Sequence, residues 1–497
     1  MLLEDFPEDI RPYLEPKPSG HPIYECLACG ARLAIDQLYY TCPTCGGLLM
    51  IEDLDFPRLR SQPGSFWRRL FDYRLIYNRQ ATRGVFTFHE FIAPNLPLND
   101  LIYLGEAHTP VVAAPNELAK EIGTLFYFKM DGQNPSASFK DRGMAVALSY
   151  LKNQVRVKNL SSVIAVCAST GDTSAAAALY AASLGDSVKS AVLLPKGRVT
   201  PQQLSQPLGA GATVFELPGV FDDCMKVVER LSETYNVALL NSKNPWRVLG
   251  QESYAYEIAQ QFDYLLGDIV LIVPVGNAGN ITAILSGLLK FHRAGLIDRL
   301  PRILAVQSER ANPVVLYYEQ PSNLRAYSPV KVRPSVAQAA MIGDPVSFPR
   351  LSKLAADYEK VAGESSFGVV EVNEQSIMES MLLANRRGLT ICTQGGECLA
   401  GLRAALAKGL MTPLETAVLD STAHALKFVD FQNAYFSGSL AKEYGVITKP
   451  EIANHPRELN FDGLEVPKVD RPLEPGPRET FVRIAADKIA SALGLTT

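Results

Sequence analysis

The chain reads as an α/β protein with largely parallel sheets, preceded by a small cysteine module. Three observations lead there. From about residue 101 to 420, short β-rich runs alternate with helical stretches. Several of those runs are largely apolar, most clearly 269–275, as expected of strands covered on both faces. Two Cys-x-x-Cys pairs sit by themselves near the N-terminus. At roughly 150 residues per domain, 497 residues make about three units, or one bilobed body with an attachment.

The expected elements follow in order. Residues 22–50 hold the cysteines. Residues 51–100 are rich in aromatics, Arg and Pro without a sustained period, and are expected to connect the module to a larger body. Residues 162–166 are strand-like, and the Ala-rich 173–182 is helical. Further strands are expected at 187–194, 212–216, 236–240, 269–275, 303–306, 367–372 and 417–420. Helices are expected at 221–233, 252–262 and 374–385, and a last one at 479–493. The expected organisation is a ribbon segment at 1–50, a connector at 51–100, a two-lobed body at 101–449 and a tail at 450–497.

Composition excludes several classes. Hydrophobic residues are 47% and charged residues 20%, which suits a packed core and not a disordered chain. The formal charge is −4, with 48 Lys and Arg against 52 Asp and Glu. That offers no broad basic surface for nucleic acid. The first residues are acidic where a secretory leader is basic. The uncharged stretch 269–289 is long enough to span a bilayer, but Pro274, Gly276, Asn277, Gly279 and Asn280 interrupt it. It reads as strand, tight loop and helix, and no membrane partner is expected. The expected location is the cytoplasm.

Cys26-Leu-Ala-Cys29 and Cys42-Pro-Thr-Cys45 lie 12 residues apart, each followed by glycine. Four thiolates on two tight turns supply the tetrahedron that zinc prefers. Cys26, Cys29, Cys42 and Cys45 are therefore the expected ligands of a structural zinc ribbon. With all four positions filled, such a metal has no open site for catalysis. Cys167, Cys224, Cys392 and Cys398 show no ligand spacing and read as buried free thiols.

Lys140 lies in a turn-rich segment, Gly132 to Gly143, ahead of a helix. The amides of a helix N-terminus disfavour an ammonium, which suits a lysine to carbonyl chemistry. Taken alone, a surface lysine is the better reading. Two other loops change the balance. The loop 167–174 (Cys-Ala-Ser-Thr-Gly-Asp-Thr-Ser) joins a strand to a helix and can take an anion. The loop 275–280 (Val-Gly-Asn-Ala-Gly-Asn) does the same after another apolar strand, with glycines that let amides approach a phosphate.

Together these segments resemble the β-family of pyridoxal-phosphate enzymes, fold type II, and within it the threonine synthase family. The box 138–143 (Ser-Phe-Lys-Asp-Arg-Gly) is similar to that family's cofactor-lysine box. The segments 104–110 (Leu-Gly-Glu-Ala-His-Thr-Pro), 241–247 (Asn-Ser-Lys-Asn-Pro-Trp-Arg) and 421–427 (Ser-Thr-Ala-His-Ala-Leu-Lys) resemble further family segments, in the same order. The likeness spans about residues 101–427. It implies a two-lobed pyridoxal 5'-phosphate enzyme, a homodimer, that turns O-phospho-L-homoserine and water into L-threonine and phosphate.

The resemblance also implies roles. Lys140 would carry the cofactor and move protons. Gly276, Asn277, Ala278, Gly279 and Asn280 would cradle its phosphate. Asp172 would lie by its ring hydroxyl and Thr422 by its ring nitrogen. Ser169, Thr170, Gly171 and Thr173 would hold the substrate carboxylate. Asn241, Ser242, Asn244 and Arg247 would hold the substrate phosphate, with Arg247 suited by its planar fork. Position 172 is Asp where many relatives have Asn, and Ala107 and Ala137 stand where common versions have glycine. His108 and His424 read as hydrogen-bonded structural residues. Two rival readings remain: a cysteate-synthase-like enzyme acting on phosphoserine, and a non-catalytic zinc-ribbon adaptor.

Overall fold

The computed structural model describes residues 2–79, 82–169, 171–196, 201–219, 221–235 and 237–495. Two compact units are present, Met1–Ile447 and Thr448–Thr497.

After two short helical turns, Leu3–Asp5 and Arg11–Leu14, the first unit has three short strands, β1 (Pro22–Cys26), β2 (Arg32–Ala34) and β3 (Leu49–Asp53). They form an antiparallel sheet with β1 in the centre. The body adds β4 (Val111–Ala113), β5 (Phe126–Lys129), β6 (Val163–Ala168), β7 (Val188–Pro195) and β8 (Thr213–Leu217). It continues with β9 (Val237–Leu239), β10 (Ile269–Pro274), β11 (Arg302–Ser308), β12 (Phe367–Val372) and β13 (Thr416–Asp420). These make a four-stranded sheet of order β8-β7-β6-β9 and a six-stranded sheet of order β12-β11-β10-β13-β5-β4. Among the described residues every body pairing is parallel except that of β4 with β5. The α/β expectation holds, with one lobe around each sheet. The reason is visible in β10, which is buried at all six positions and so must be covered by helices on both faces.

The uncharged stretch after residue 269 resolves into β10 and the helix Gly279–Arg293. Among the described residues no helix is long and apolar enough to cross a membrane. Strands expected at 367–372 and 417–420 are observed within one residue of those limits. Of the strand expected at 236–240, residue 236 lies outside the described residues. Two strands, β4 and β5, have no counterpart among the expected elements. They are three and four residues long, too short to show a period.

The segment 51–100 is more than a connector. It contains the helix Gly64–Tyr77, which buries Phe66, Trp67, Leu70, Phe71, Arg74 and Tyr77. That is one face at helical spacing. A buried arginine hides the stripe in the sequence. Both Nη atoms of Arg74 are paired, with the two oxygens of Glu90, at 2.6 and 2.8 Å, and with two carbonyls. Phe71 stacks on Phe291 of the helix Gly279–Arg293, with ring centroids 6.1 Å apart. The ribbon joins the same core, since Tyr24, Leu49 and Ile51 lie in one hydrophobic cluster with Trp246 and Tyr150.

The second unit holds the helix Pro475–Leu493. It starts four residues earlier than expected, because proline is well accommodated in a helix's first turn. Phe461 and Phe481 pack at 4.9 Å within it.

Candidate active site

In an open α/β sheet, ligands bind beyond the carboxyl ends of the strands, where the strand order reverses. In the larger sheet β10 has β11 on one side and β13 on the other. Loops after three neighbouring strands meet there: 130–140 after β5, 275–279 after β10 and 421–424 after β13. The loop after β6 comes from the other sheet. A cleft with about 710 Å³ of empty space, open mouth included, is lined by Lys140, Asp172, Ser242, Arg247, Gly276, Asn277, Ala278, Gly279, Asn280 and Thr422. Its lining mixes apolar wall with a few convergent polar groups, as sites for a cofactor or a small substrate do.

Lys140 is the first residue of the helix Lys140–Val157. The turn before it is tied to the end of β13. Phe139 N donates to Thr422 O at 2.9 Å, His424 N donates to Ala137 O at 3.0 Å, and Ser138 bridges Ala423. The other box residues support the lysine. Asp141 accepts from Ser136 N at 2.6 Å. Arg142 is fully buried, forked onto Asp131 at 2.7 and 2.9 Å and onto Glu257 at 2.5 and 2.9 Å. Lys129 joins the same network through Glu257 at 2.7 Å. Gly143 lets the next helix approach: a Cβ there would lie 2.8 Å from Arg247 O, and one on Gly250 would lie 2.3 Å from Arg142 O. The box therefore also places Arg247.

Burial depresses the Lys140 amine to about 7, helped by the nearby Arg247 guanidinium. Desolvation is the main cause, ahead of the helix end the sequence suggested. The neutral amine is the nucleophile, so it dominates above about pH 7 and the ammonium dominates below. Uptake of pyridoxal phosphate by the apoprotein should rise with pH around a midpoint of about 7. Stopped-flow absorbance checks this. A rate still climbing towards the ordinary lysine value of 10.5 would contradict it.

The helix Gly279–Arg293 starts in the cleft, so its first amides, lacking intrahelical partners, face a ligand. Ala278 caps it with φ 60°. Gly276 passes so near the backbone of Ala340 that a Cβ would sit 3.0 Å from its Cα. The Asn280 side chain donates Nδ2 to Asp420 Oδ2 at 2.7 Å and leaves its buried Oδ1 without a partner. Asn277 likewise has its Oδ1 turned to Val346 N, at 3.4 Å.

The turn at 241–247 divides by role. Arg247 and Ser242 line the cleft. Arg247 is buried, gives Nη1 to Leu240 O at 2.9 Å and leaves Nε unpartnered. Desolvation holds its guanidinium down at about 10. Asn241 and Asn244 do not offer their side chains to a ligand, which corrects the sequence reading. Asn241 is doubly bonded to Ala168, at 3.0 and 2.6 Å. Asn244 caps the helix Pro245–Gln251 through Trp246 N and donates to Leu239 O. Both amides are engaged with backbone groups that set the turn's shape, and neither residue is among those lining the cleft.

In the loop after β6, Asp172 reaches the cleft and pairs with Lys427 at 2.8 Å. That pairing explains how a carboxylate is tolerated there. Ser169 accepts from Gly171 N at 3.2 Å, and Ser169, Gly171 and Thr173 are not among the cleft-lining residues. Thr170 lies outside the described residues. Thr422 is in the cleft wall, its Oγ1 3.9 Å from Cys392 Sγ.

Sequence reasoning missed Gln394, Gln251 and Lys427. Gln394 is buried in the wall with both ends of its amide unpartnered. Such an orphaned group is costly unless a ligand satisfies it. That orphan, the free helix start and the close approach at Gly276 together fit a phosphorylated cofactor.

His108 and His424 are structural. Burial pushes His108 down to about 4, and its Nε2 meets Thr87 Oγ1 at 2.9 Å. His424 Nδ1 accepts from Leu426 N at 3.2 Å. Cys167, Cys224, Cys392 and Cys398 are buried and free. Ala107 and Ala137 both have positive φ, 68° and 62°, where an L side chain is strained. Ala137→Gly should therefore stabilise the protein by about 1 kcal/mol, read as a higher denaturant midpoint with unchanged slope. A lower midpoint would mean the methyl's packing outweighs the strain.

The thiols of Cys26, Cys29, Cys42 and Cys45 lie within 4.8 Å of one another, arranged to hold a metal ion. Gly30 and Gly46, with φ 71° and 73°, turn the chain back after each pair, and their amides donate to Cys26 O and Cys42 O. Gly47 must be glycine, since a Cβ there would meet Cys26 Sγ at 3.0 Å and Cys45 Sγ at 3.2 Å.

Comparison with known proteins agrees with this geometry. Residues 102–419 match the family model described as pyridoxal-phosphate dependent enzyme. The chain is 36% identical over 414 residues to a threonine synthase of Methanocaldococcus jannaschii, covering 82% of this chain and 93% of the relative. It is 34% identical over 423 residues to a chloroplastic threonine synthase 2 of Arabidopsis thaliana, covering 84% and 79%. Among solved structures, threonine synthase from Escherichia coli matches with a TM-score of 0.62 at 20% identity, over 87% of this chain and 93% of that one. The yeast threonine synthase matches at 0.60 and 19%, over 88% and 94%. The chain belongs to the pyridoxal-phosphate-dependent enzymes and, within them, to the threonine synthase family.

Proposed function

We propose that the protein is a threonine synthase, a carbon–oxygen lyase of amino-acid biosynthesis that converts O-phospho-L-homoserine and water into L-threonine and phosphate. The observation that carries this reading is one cleft with two anion-holding groups beside a depressed lysine. The helix start at 276–280 suits the phosphate of pyridoxal 5'-phosphate. Arg247, buried without a carboxylate partner, and Ser242 suit the phosphate of the substrate. An adaptor reading leaves this second anion group and the lysine without a reason, and the threonine synthase relatives favour phosphohomoserine over phosphoserine as the phosphorylated substrate.

When bound, pyridoxal phosphate supplies the electron sink for carbanions at Cα and Cβ. Lys140 would hold the cofactor, and its amine lies where it would move protons at the substrate's Cα, Cβ and Cγ. Arg247 and Ser242 orient the phosphoryl group and stabilise it as it leaves Cγ. The family resemblance assigns the substrate carboxylate to the β6 loop, of which Asp172, paired with Lys427, reaches the cleft. Thr422 offers the ring nitrogen a hydroxyl, which does not enforce its protonation.

The four-cysteine site is assigned to structural zinc. Tetrahedral zinc with bonds of about 2.3 Å sets sulfurs about 3.8 Å apart, and the observed pairs are 3.5 Å (Cys26, Cys45) and 3.7 Å (Cys29, Cys42). Four buried thiols kept free favour a reducing compartment, the cytoplasm. A homodimer is what the family resemblance implies.

The test is product analysis with purified holoenzyme. Phosphate and threonine should appear together from phosphohomoserine. Phosphate released from phosphoserine plus sulfite, without threonine from phosphohomoserine, would overturn the assignment.

A further inference from the structure

The site described so far gives the ribbon no task, yet the ribbon touches the cleft's two anion-holding elements. Three contacts carry this. Trp246, next to Arg247, donates its indole N–H to Tyr24 Oη of β1 at 3.0 Å. Met50 of β3 packs with Val248, on the Arg247 helix, and with Ala283, on the helix Gly279–Arg293. The third contact is Arg350.

Arg350 is fully buried, and all its partners are neutral oxygens from three separate segments. Nε and Nη2 donate to Leu49 O of β3, at 3.1 and 2.7 Å. Nη1 donates to Ser242 O and Nη2 to Lys243 O, both at 3.0 Å. Nη1 also reaches Ser347 Oγ at 3.2 Å. These five bonds use the five N–H groups a guanidinium has. A lysine has three donors and no fixed fork, so it cannot make all five bonds. The uncompensated charge also lies directly behind the turn that offers Ser242 and Arg247 to an anion.

We propose that the four-cysteine ribbon is a clamp on the turn 242–247, and that Arg350 is the positioning residue that transmits the ribbon's metal occupancy to substrate-phosphate binding. The inference rests on the proposed use of that turn for phosphate. Its physical basis is the ribbon's size. A three-stranded sheet of 13 residues around four thiols has little core of its own and depends on its metal to hold shape. If the ribbon loosens, Leu49 O and Tyr24 leave their places. Arg350 and Trp246 then lose the partners that fix the turn.

The test uses holoenzyme, so that the cofactor fills its own phosphate site, and inorganic phosphate as the probe. Phosphate affinity is measured by calorimetry. Trp246 emission is followed in a Trp67→Phe background, which leaves one of the chain's two tryptophans. Stripping the metal with a strong chelator should weaken phosphate about 10-fold and shift Trp246 emission to the red, with the cofactor band retained. Arg350→Met should weaken phosphate to a similar degree with metal still bound, and stripping that variant should add little. Such non-additivity is the mark of one shared path.

Unchanged phosphate affinity in protein shown by metal analysis to be stripped would overturn the proposal. Full additivity of the two losses would overturn it as well. Should Arg350→Met fail to fold, Arg350→Lys and Tyr24→Phe replace it, each expected to lower the affinity part of the way. The readouts need no turnover. Coupling without threonine formation would sink the functional assignment alone, and threonine formation without coupling would sink this inference alone.

Discussion

Lys140→Ala is expected to lower threonine formation by about 10³-fold or more and to remove the visible absorbance band of the lysine-held cofactor. Two roles end together, because the same amine holds the cofactor and moves the protons. The fold should survive. Alanine is the better helix former, and the Lys140 amine's recorded contact is with the neighbouring Phe139 ring, 4.0 Å from its centroid. An unchanged thermal transition would establish that the loss is chemical. A band of wild-type strength after gel filtration would remove Lys140 from its assigned role.

Arg247→Ala is expected to raise the KM for phosphohomoserine about 10- to 100-fold while the cofactor band stays intact. The range follows from the ~1.5–3 kcal/mol carried by a hydrogen bond to a charged group. Arg247 already has a low-cost reason to seek an anion: it is buried, Nε is unpartnered, and its one recorded bond is to Leu240 O. The truncation also frees that carbonyl. Arg247→Lys, which keeps charge and loses the fork, is therefore the control and should recover part of the affinity. Wild-type KM values in both variants would place the substrate phosphate elsewhere.

Much of the fold and site was legible because it is written in local pattern. The apolar runs that became β6, β7, β10 and β12 are short stretches that no solvated loop would carry. The cysteine spacing states its own chemistry, because a tetrahedral site needs few residues and they are close in sequence. Lys140, Ser242, Arg247 and the loop 276–280 all reach the cleft. Other parts were hidden for stated reasons. The helix Gly64–Tyr77 has its stripe broken by Arg74, which is buried only because Glu90 is there to meet it. β4 and β5 are too short to show a period.

The residue types of the turn 241–247 suggested four donors to one phosphate. Folding leaves two of them in the cleft wall, since Asn241 and Asn244 saturate backbone groups that would otherwise be buried unpaired. Gln394 had the opposite fate. It carries no motif, and its importance lies in being buried with nothing to bond.

By itself the sequence determined the class of fold, the family motifs around Lys140 and the spacing that gathers the four cysteines. Each of these depends on neighbours within a few residues along the chain. Only the tertiary structure decided which polar side chains face a ligand and which brace the backbone, how Asp172 is balanced by Lys427, and that Arg350 joins the ribbon to the turn at 242–247. Most of those outcomes depend on partners far along the chain, such as Leu49 and Arg350, which are 301 positions apart. A buried hydrogen bond is decided by what lies opposite it in space, and one chain segment read alone does not contain that information.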